Sequence, residues 1–477
     1  MRTSTFDLTQ LLTILPQILL VVLALAVMVF DVATPKAKKR SVGIFTAAGL
    51  VIVLLFTLFW PISNQAAFGG MLRDDGVARA FQVIFMLSGF LVILLSLDFR
   101  PLPHDGTYYA VLLFSILGMS LMAAAENLVL LYVGMEMTSI SAYVLVGYLH
   151  DTVPSSEAGV KYFIFGAMTS AVMLYGMSLI YGLAGGVAYS QVAMVLRGTP
   201  LAVIAFLMVL VGFGFKVAMV PMHFWSPDVY QGAPTPITAF ISVASKAAGF
   251  AVLVRALEGL FPGLINQWIP LIMAISMVTM TLGNMLAIPQ RNIKRMLAYS
   301  SIAQAGYVLI GVTAGGERGI AAVIFYLLVY VVTNVSAFAV VNIVSNHVGG
   351  EDIEEYSALS RRSPFLGLAL MVALLSLAGV PPAGGFVGKL FLFSAGIGEG
   401  LIGLVVIAVL NVIVGLYYYL NIVKQAYMVR SEREDEVIPV PAASRIALGL
   451  GIAAILLLGI FAAPCYNLLS SLVATWF

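Results

Sequence analysis

FGFKVAMVPMHFWSPDVYQGAPTPITAFISVASKAAGF, residues 213–250 of a 477-residue chain, is the stretch on which the reading of the fold turns. It starts inside an apolar run that begins near residue 200, meets Lys216, and is then interrupted by Pro221, Pro227, Pro234 and Pro236. A second apolar run follows, with Lys246 near its middle. Proline lacks a backbone donor and clashes with the preceding turn, so no single helix crosses the interruption. Two apolar helices, each carrying one cation and separated by a proline-rich break, are therefore expected here.

The rest of the chain supplies the solvent for those helices. Apolar residues make up 61% and charged residues 10%, against about 25% charged in an ordinary soluble domain. This composition excludes most soluble enzyme classes. A single cysteine, Cys465, excludes a disulfide scaffold. With only His104, His150, His223 and His347 besides, no iron–sulfur or haem set is available. The net charge of +2 comes from basic residues scattered through loops, which argues against a nucleic-acid partner.

A helix needs about 20 apolar residues to cross a bilayer. Such runs lie near 9–30, 41–63, 79–97, 107–125, 127–149, 160–184, 200–226 and 235–257, then near 265–288, 295–315, 319–345, 364–398, 401–428 and 444–464. None alternates like a barrel strand, and the first exceeds the 7–15-residue apolar core of a cleaved signal peptide. The fold class expected is an all-α polytopic membrane protein with about 14 transmembrane helices embedded in a lipid bilayer. Fifteen Lys and Arg follow odd-numbered spans and five (Arg73, Arg79, Arg197, Arg255, Arg318) follow even-numbered ones. The positive-inside bias then places both termini on the non-cytoplasmic side.

Adding Arg2 accounts for all 24 basic residues except Lys216, Lys246 and Lys389, each inside an apolar run, and among 22 acids only Glu136 lies mid-span, in LVLLYVGMEMTSISAYVL. Each such charge opposes insertion by roughly 2.5–3.5 kcal/mol, so the four together oppose it by roughly 10–14 kcal/mol. Snorkelling to the headgroups does not serve Lys246 or Glu136, which are too central. Burial disfavours the charged form of an amine, and a nearby carboxylate favours it. A row of buried lysines next to Glu136 is therefore suited to binding and releasing protons. Hydroxyl and amide side chains, among them Thr138, Ser139, Ser141, Ser242, Ser245, Ser300, Ser301, Asn334 and Asn411, are available to bridge the gaps with water.

A second break, SLAGVPPAGGFVGKLF, falls in the run 364–398, five spans after the first, and again has a lysine beside it. Matching interruptions in two halves point to inverted repeats. The expected organisation is helices 1–3 in 1–97, one five-helix repeat (helices 4–8) in 107–257, a second (helices 9–13) in 265–428, and helix 14 in 444–477, with helices 7 and 12 broken. GGFVGKL is not a phosphate loop, because Ala383 and Leu390 stand where Gly and Ser or Thr are required.

The opening stretch resembles the signature of the antiporter-like membrane subunits of respiratory complex I, and HFWSPDVYQGAPTP resembles the N-type form, the counterpart of mitochondrial subunit 2. NIKRMLAYSSIAQAGYVLIG, SLAGVPPAGGFVGKLFLF and LYYYLNIVKQAY resemble further family blocks, in order along nearly the whole chain. The resemblance implies a proton-translocating subunit of an NADH–quinone oxidoreductase in a bacterial inner membrane. Its relay would be Glu136, Lys216, Lys246 and Lys389, with His223, Gln304, Ser245, Tyr299 and Asn334 as secondary candidates. It implies no cofactor or metal in this chain, with FMN, iron–sulfur clusters and quinone held by other subunits. The implied partners are the neighbouring antiporter-like subunit M and small membrane subunits. Lys389 fits the N type, since subunit M is expected to carry a glutamate there; the long lateral extension of subunit L is not expected after helix 14. Gln304 stands where many relatives show a histidine, and Asn421 where an arginine is common. The alternative is a subunit of a stand-alone multisubunit cation/proton antiporter.

Overall fold

The computed structural model describes residues 8–477; Arg2 lies outside the described residues. A short helical segment, Leu8–Thr13, leads into α1 (Leu15–Ala33), α2 (Arg40–Phe59), α3 (Gly76–Ser96), α4 (Gly106–Ala124), α5 (Leu128–Val146), α6 (Val153–Ala184) and α7 (Pro200–Val217). After α7 come α8 (Thr235–Leu260), α9 (Pro262–Ala287), α10 (Ile293–Ala314) and α11 (Gly316–Val348). Then follow α12 in two halves (Pro364–Ala378 and Gly384–Gly398), α13 (Ile402–Met428), α14 (Ala442–Ile460) and a terminal α15 (Ala462–Ala474). Among the described residues, thirteen helices are long and apolar enough to cross a membrane, and the two halves of α12 are shorter apolar helices.

Polar residues in the loops start these helices. Asp75, Asp105, Asn127 and Asn292 each cap the helix that follows them, accepting from Ala78, Tyr108, Val129 and Arg295 respectively. Each cap satisfies a backbone donor that has no partner within its helix.

The loops sort into two faces. Those after odd-numbered helices bind one another: Arg40 to Asp98, Tyr148 to Asp105, Ile293 N to Glu351 O and Ile438 N to Arg362 O. Those after even-numbered helices do the same, through Glu126 N to Met71 O, Tyr189 N to Glu126 O, Gly316 N to Glu258 and Gly76 N to Thr475. The basic residues thus gather on one face, called the basic face below. In the bundle, α8, α10 and α11 are almost wholly enclosed, while α1, α6, α9 and α14 turn apolar residues such as Val29, Val32, Phe163 and Ile460 outward. An apolar exterior is what a bilayer requires.

Several boundaries differ from the sequence expectation. The run 160–184 begins at Val153, because Pro154 suits a first helical turn. The C-terminal segment breaks at Phe461 and continues as α15, which bonds to Arg318 and Glu317 through Tyr466 and Ser470, and its C-cap Thr475 accepts from Gly76. A two-residue hairpin, Ala66–Ala67 with Leu72–Arg73, lies between α2 and α3. Two π-helical turns, Ile241–Ser245 and Ala256–Leu260, interrupt α8.

The number of buried cations is the main correction. Arg79, Arg255, Lys294 and Arg362, read as loop charges, are buried as deeply as the three mid-span lysines. Folding brings carboxylates to three of them at close range: Asp74 grips Arg79 with both oxygens, Asp75 and Glu126 hold Arg255, and Glu351 holds Lys294. Arg362 lies 3.7 Å from Glu436. Arg255 also lies over the Trp476 ring, tying α3, α8 and the C-terminal segment together. Removing one partner of a buried pair leaves the other uncompensated. Asp75→Ala leaves Arg255 only the partly exposed Glu126 and should destabilise the protein by up to about 3 kcal/mol, read as a lowered melting midpoint in detergent; an unchanged midpoint would contradict a structural clasp here.

Candidate functional site

Both broken helices end on a left-handed residue, Ala218 (φ 57°) and Gly379 (φ 84°), whose N–H closes the last turn. A backbone group released inside a membrane needs a protein partner or cavity water. At the α7 break Trp225 Nε1 donates to Phe215 O (3.1 Å), and Val220 N donates to Thr279 Oγ1 of α9 (3.1 Å). The chain then resumes as a short helix, Trp225–Gly232, reaching the basic face. At the α12 break the i+4 partner of the Leu377 carbonyl would be Pro381, which has no N–H. Lys389 Nζ (2.7 Å) and Gln304 Nε2 (3.0 Å) take that carbonyl instead.

Lys216 and Lys389 sit beside these breaks and Lys246 lies within α8, and all three are at least nine-tenths buried. Lys216, on the last turn of α7, donates to Ser139 Oγ of α5 at 3.0 Å. Glu136, one turn before Ser139, is half-buried and accepts from Ser170 of α6, whose hydroxyl also meets Tyr132. Glu136 and Lys216 therefore face a shared serine region without forming an ion pair. Gly249 of α8 packs directly on the Lys216 stem: a Cβ there would lie 3.2 Å from Lys216 Cβ and 2.7 Å from Val217 Cγ1. Lys246 is one turn away on α8, donates to Ser301 of α10, and lies 5.9 Å from the Tyr230 ring centroid.

Beside Ser301 a second set of polar groups begins, which no hydrogen bond joins to it among the described residues. Its chain neighbour Ser300 meets the Tyr419 hydroxyl of α13, which accepts from Gln304 Nε2 at 3.0 Å. Gln304 shares the Leu377 carbonyl with Lys389, and Tyr326 donates to its Oε1. Lys389 also lies 4.9 Å from the Tyr307 ring centroid. Gln304 is thus central to the row although it does not titrate.

Of the other sequence candidates, Ser245 and Asn334 fall beside Lys246. Asn334 Nδ2 donates to Ser242 Oγ at 2.7 Å, one turn before Lys246. Among the described residues, Asn334 Oδ1, Ser245 Oγ, His223 Nδ1, Ser226 Oγ and the Tyr330 hydroxyl are buried without a hydrogen-bond partner. Buried polar atoms of this kind normally bind ordered water. Tyr299 is half-exposed and, among the described residues, makes no hydrogen bond to the row. Sequence reasoning missed Ser170, Tyr230, Tyr326, Tyr419 and the Leu377 carbonyl; only the Leu377–Pro381 spacing could have flagged one of them.

Among the described residues, no carboxylate lies within ion-pair distance of Lys216, Lys246 or Lys389, whereas Arg79, Arg255 and Lys294 all have one. The three lysines are held by hydroxyls, a carbonyl and aromatic faces, which tolerate the neutral amine as well as the ammonium.

A family model described as NADH:quinone oxidoreductase/Mrp antiporter, TM, matches residues 125–415. A relative named NADH-quinone oxidoreductase subunit N, from Heliobacterium modesticaldum, is 43% identical over 90% of this chain and 91% of its own. Among solved structures, a chain of respiratory complex I from Thermus thermophilus is 32% identical with a TM-score of 0.80, covering 95% of this chain and 98% of its own. A chain of the membrane-bound sulfane sulfur reductase, an archaeal respiratory membrane complex, is 26% identical with a TM-score of 0.86, covering 98% and 97%.

Overpacking at Gly249 tests the placement of Lys216. Gly249→Val should cost about 1–3 kcal/mol, seen as a lowered melting midpoint, while Gly449→Ala on α14, where a Cβ meets nothing, leaves it unchanged. Equal midpoints in both variants would contradict the close approach of α7 and α8.

Proposed function

The chain belongs to the NADH-quinone oxidoreductase subunit N family, an antiporter-like membrane subunit of a proton-translocating complex, and we propose that its own proton path is the row Glu136, Lys216, Lys246 and Lys389. The observation that carries this reading is the contrast between buried cations that have carboxylate partners and these three lysines, which have none at pairing distance. A buried ammonium locked to a carboxylate is a structural charge. One bonded only to a hydroxyl or carbonyl can give up its proton and stay bonded.

Glu136 sets the state of Lys216. A carboxylate drawn toward the amine favours the ammonium, and its withdrawal favours the neutral form. With Ser170 holding Glu136 on one side and Ser139 holding Lys216 on the other, a small rotation of Glu136 changes their separation. The proton released by Lys216 passes to Lys246, across the region of unpartnered Ser245, His223 and Asn334 atoms, through ordered water. From Lys246 it passes by Ser301, Ser300, Tyr419 and Gln304 to Lys389.

The remaining assignments belong to the same proposal. Helices α4–α8 and α9–α13 are inverted repeats, each with one broken helix. The basic face is cytoplasmic and the membrane is a bacterial inner membrane, which puts both termini on the periplasmic side. FMN, iron–sulfur clusters and quinone are held by other subunits. This chain's lone Cys465 and scattered histidines do not suit such groups. Subunit M and small membrane subunits flank the chain, and quinone reduction elsewhere reaches Glu136 as a change of charge along the membrane.

In the purified complex reconstituted into vesicles, Lys216→Ala and Glu136→Ala should each lose most of the protons moved per electron. Unchanged proton-to-electron ratios in both variants would overturn the relay.

A further inference from the structure

We propose that Lys294, clamped by Glu351, is the inlet through which protons from the basic face reach Lys246; this rests on the relay reading above. Lys294 lies on the first turn of α10, where a surface lysine would be ordinary, yet only 3% of it is exposed. Its Nζ is 2.8 Å from Glu351 Oε1 and donates to Ala233 O at 3.0 Å, in the turn between the short helix Trp225–Gly232 and α8. Glu351 is fixed in turn, by Asn292 Nδ2 at 3.2 Å and by Ile293 N on its backbone carbonyl at 2.9 Å.

A cavity of about 230 Å³ ends on this pair, lined among others by Gln231, Ala233, Thr235, Asn346, Lys294 and Glu351. Gln231 is exposed and the Glu351 side chain is 27% exposed, so the cavity reaches the basic face. Inward of it, Lys294 and Ser301 are seven residues apart on α10. That is two turns, about 10.5 Å along one side of the helix, and Ser301 holds Lys246. A second polar line runs beside it. Thr238 Oγ1 shares the Ala233 carbonyl (3.4 Å) and donates to Tyr230 O (3.0 Å), and the Tyr230 hydroxyl meets Ser301 Oγ at 3.3 Å.

The choice of residue matters. Of the buried cations at the bundle ends, Arg79, Arg255 and Arg362 carry guanidinium groups that stay charged in proteins; Lys294 alone among them bears an amine that can release its proton. In the step, the Lys294 ammonium gives one proton inward, and water and the Tyr230 and Ser301 hydroxyls each accept one and pass one on. The neutral Lys246 amine becomes the ammonium. Lys294 is reprotonated by solvent from the cavity, while Glu351 stays anionic and keeps the amine in place.

The test uses the whole complex in vesicles, with proton-to-electron ratio, NADH:quinone turnover and melting midpoint measured for Lys294→Arg, Lys294→Gln and Lys246→Ala. Arginine keeps the ion pair but cannot release a proton; glutamine keeps hydrogen bonding without charge. Lys294→Arg should hold the midpoint within a few degrees and Lys294→Gln, which leaves Glu351 unpaired, should lower it, yet both should fall to the ratio of Lys246→Ala. Parental pumping in Lys294→Arg or Lys294→Gln, with loss in Lys246→Ala, overturns the inlet and leaves the relay standing. Parental pumping in Lys246→Ala overturns the relay and the inlet with it. If Lys294→Arg fails to assemble, the Lys294→Gln ratio decides alone by the same criterion.

Discussion

A bilayer's hydrocarbon offers no water to an unpaired polar group, so every carbonyl, amide and ammonium there must find a partner in the protein or in water held inside it. The rest of this structure follows from how that demand is met at two helix breaks. Pro381 withholds the donor that the Leu377 carbonyl would have used, and Lys389 and Gln304 supply it from α12 and α10. The break and the buried charge, each costly alone, satisfy each other. At the α7 break Trp225 and Thr279 play the corresponding part for Phe215 and Val220.

Two kinds of buried charge result. Those near the membrane faces are closed pairs: Arg79 with Asp74, its guanidinium also reaching the Thr57 and Trp60 carbonyls at the end of α2, and Arg255 with Asp75 and Glu126, which joins α3, α8 and the C-terminal segment. Those in the middle lean on hydroxyls, a carbonyl and aromatic faces, and form a row through α5, α7, α8, α10, α12 and α13. Lys294 stands between the two kinds, paired like the first but made of a group that can lose its proton. The enclosure of α8 and α10 within the bundle keeps lipid away from this row.

The sequence made the membrane crossings legible because apolar runs of the right length have few other uses, and the two proline-rich breaks with their lysines stood out against so few charges. Glu136, Lys216, Lys246 and Lys389 stand out by charge counting, and Ser139, Ser300 and Ser301 are among the bridging groups, whereas Gln304 comes only from the family resemblance. What stayed hidden depends on distant residues meeting. Arg255 and Lys294 read as loop charges because Asp75 and Glu351, 180 and 57 positions away, are brought to them only by folding. Tyr419 and Tyr326 read as packing aromatics because no local pattern says which of many tyrosines turns its hydroxyl inward. The π-helical turns of α8 and the small hairpin after α2 leave no periodic signal of their own.

The central claim is that the mid-membrane lysines change protonation during turnover. Difference infrared spectra of the complex with nitrogen-15-labelled lysine, recorded as quinone is reduced, address it most directly. The account predicts isotope-sensitive ammonium bands that appear with turnover and are lost, in part, in each of Lys216→Met, Lys246→Met and Lys389→Met. Turnover without any isotope-sensitive band assignable to these lysines would contradict it.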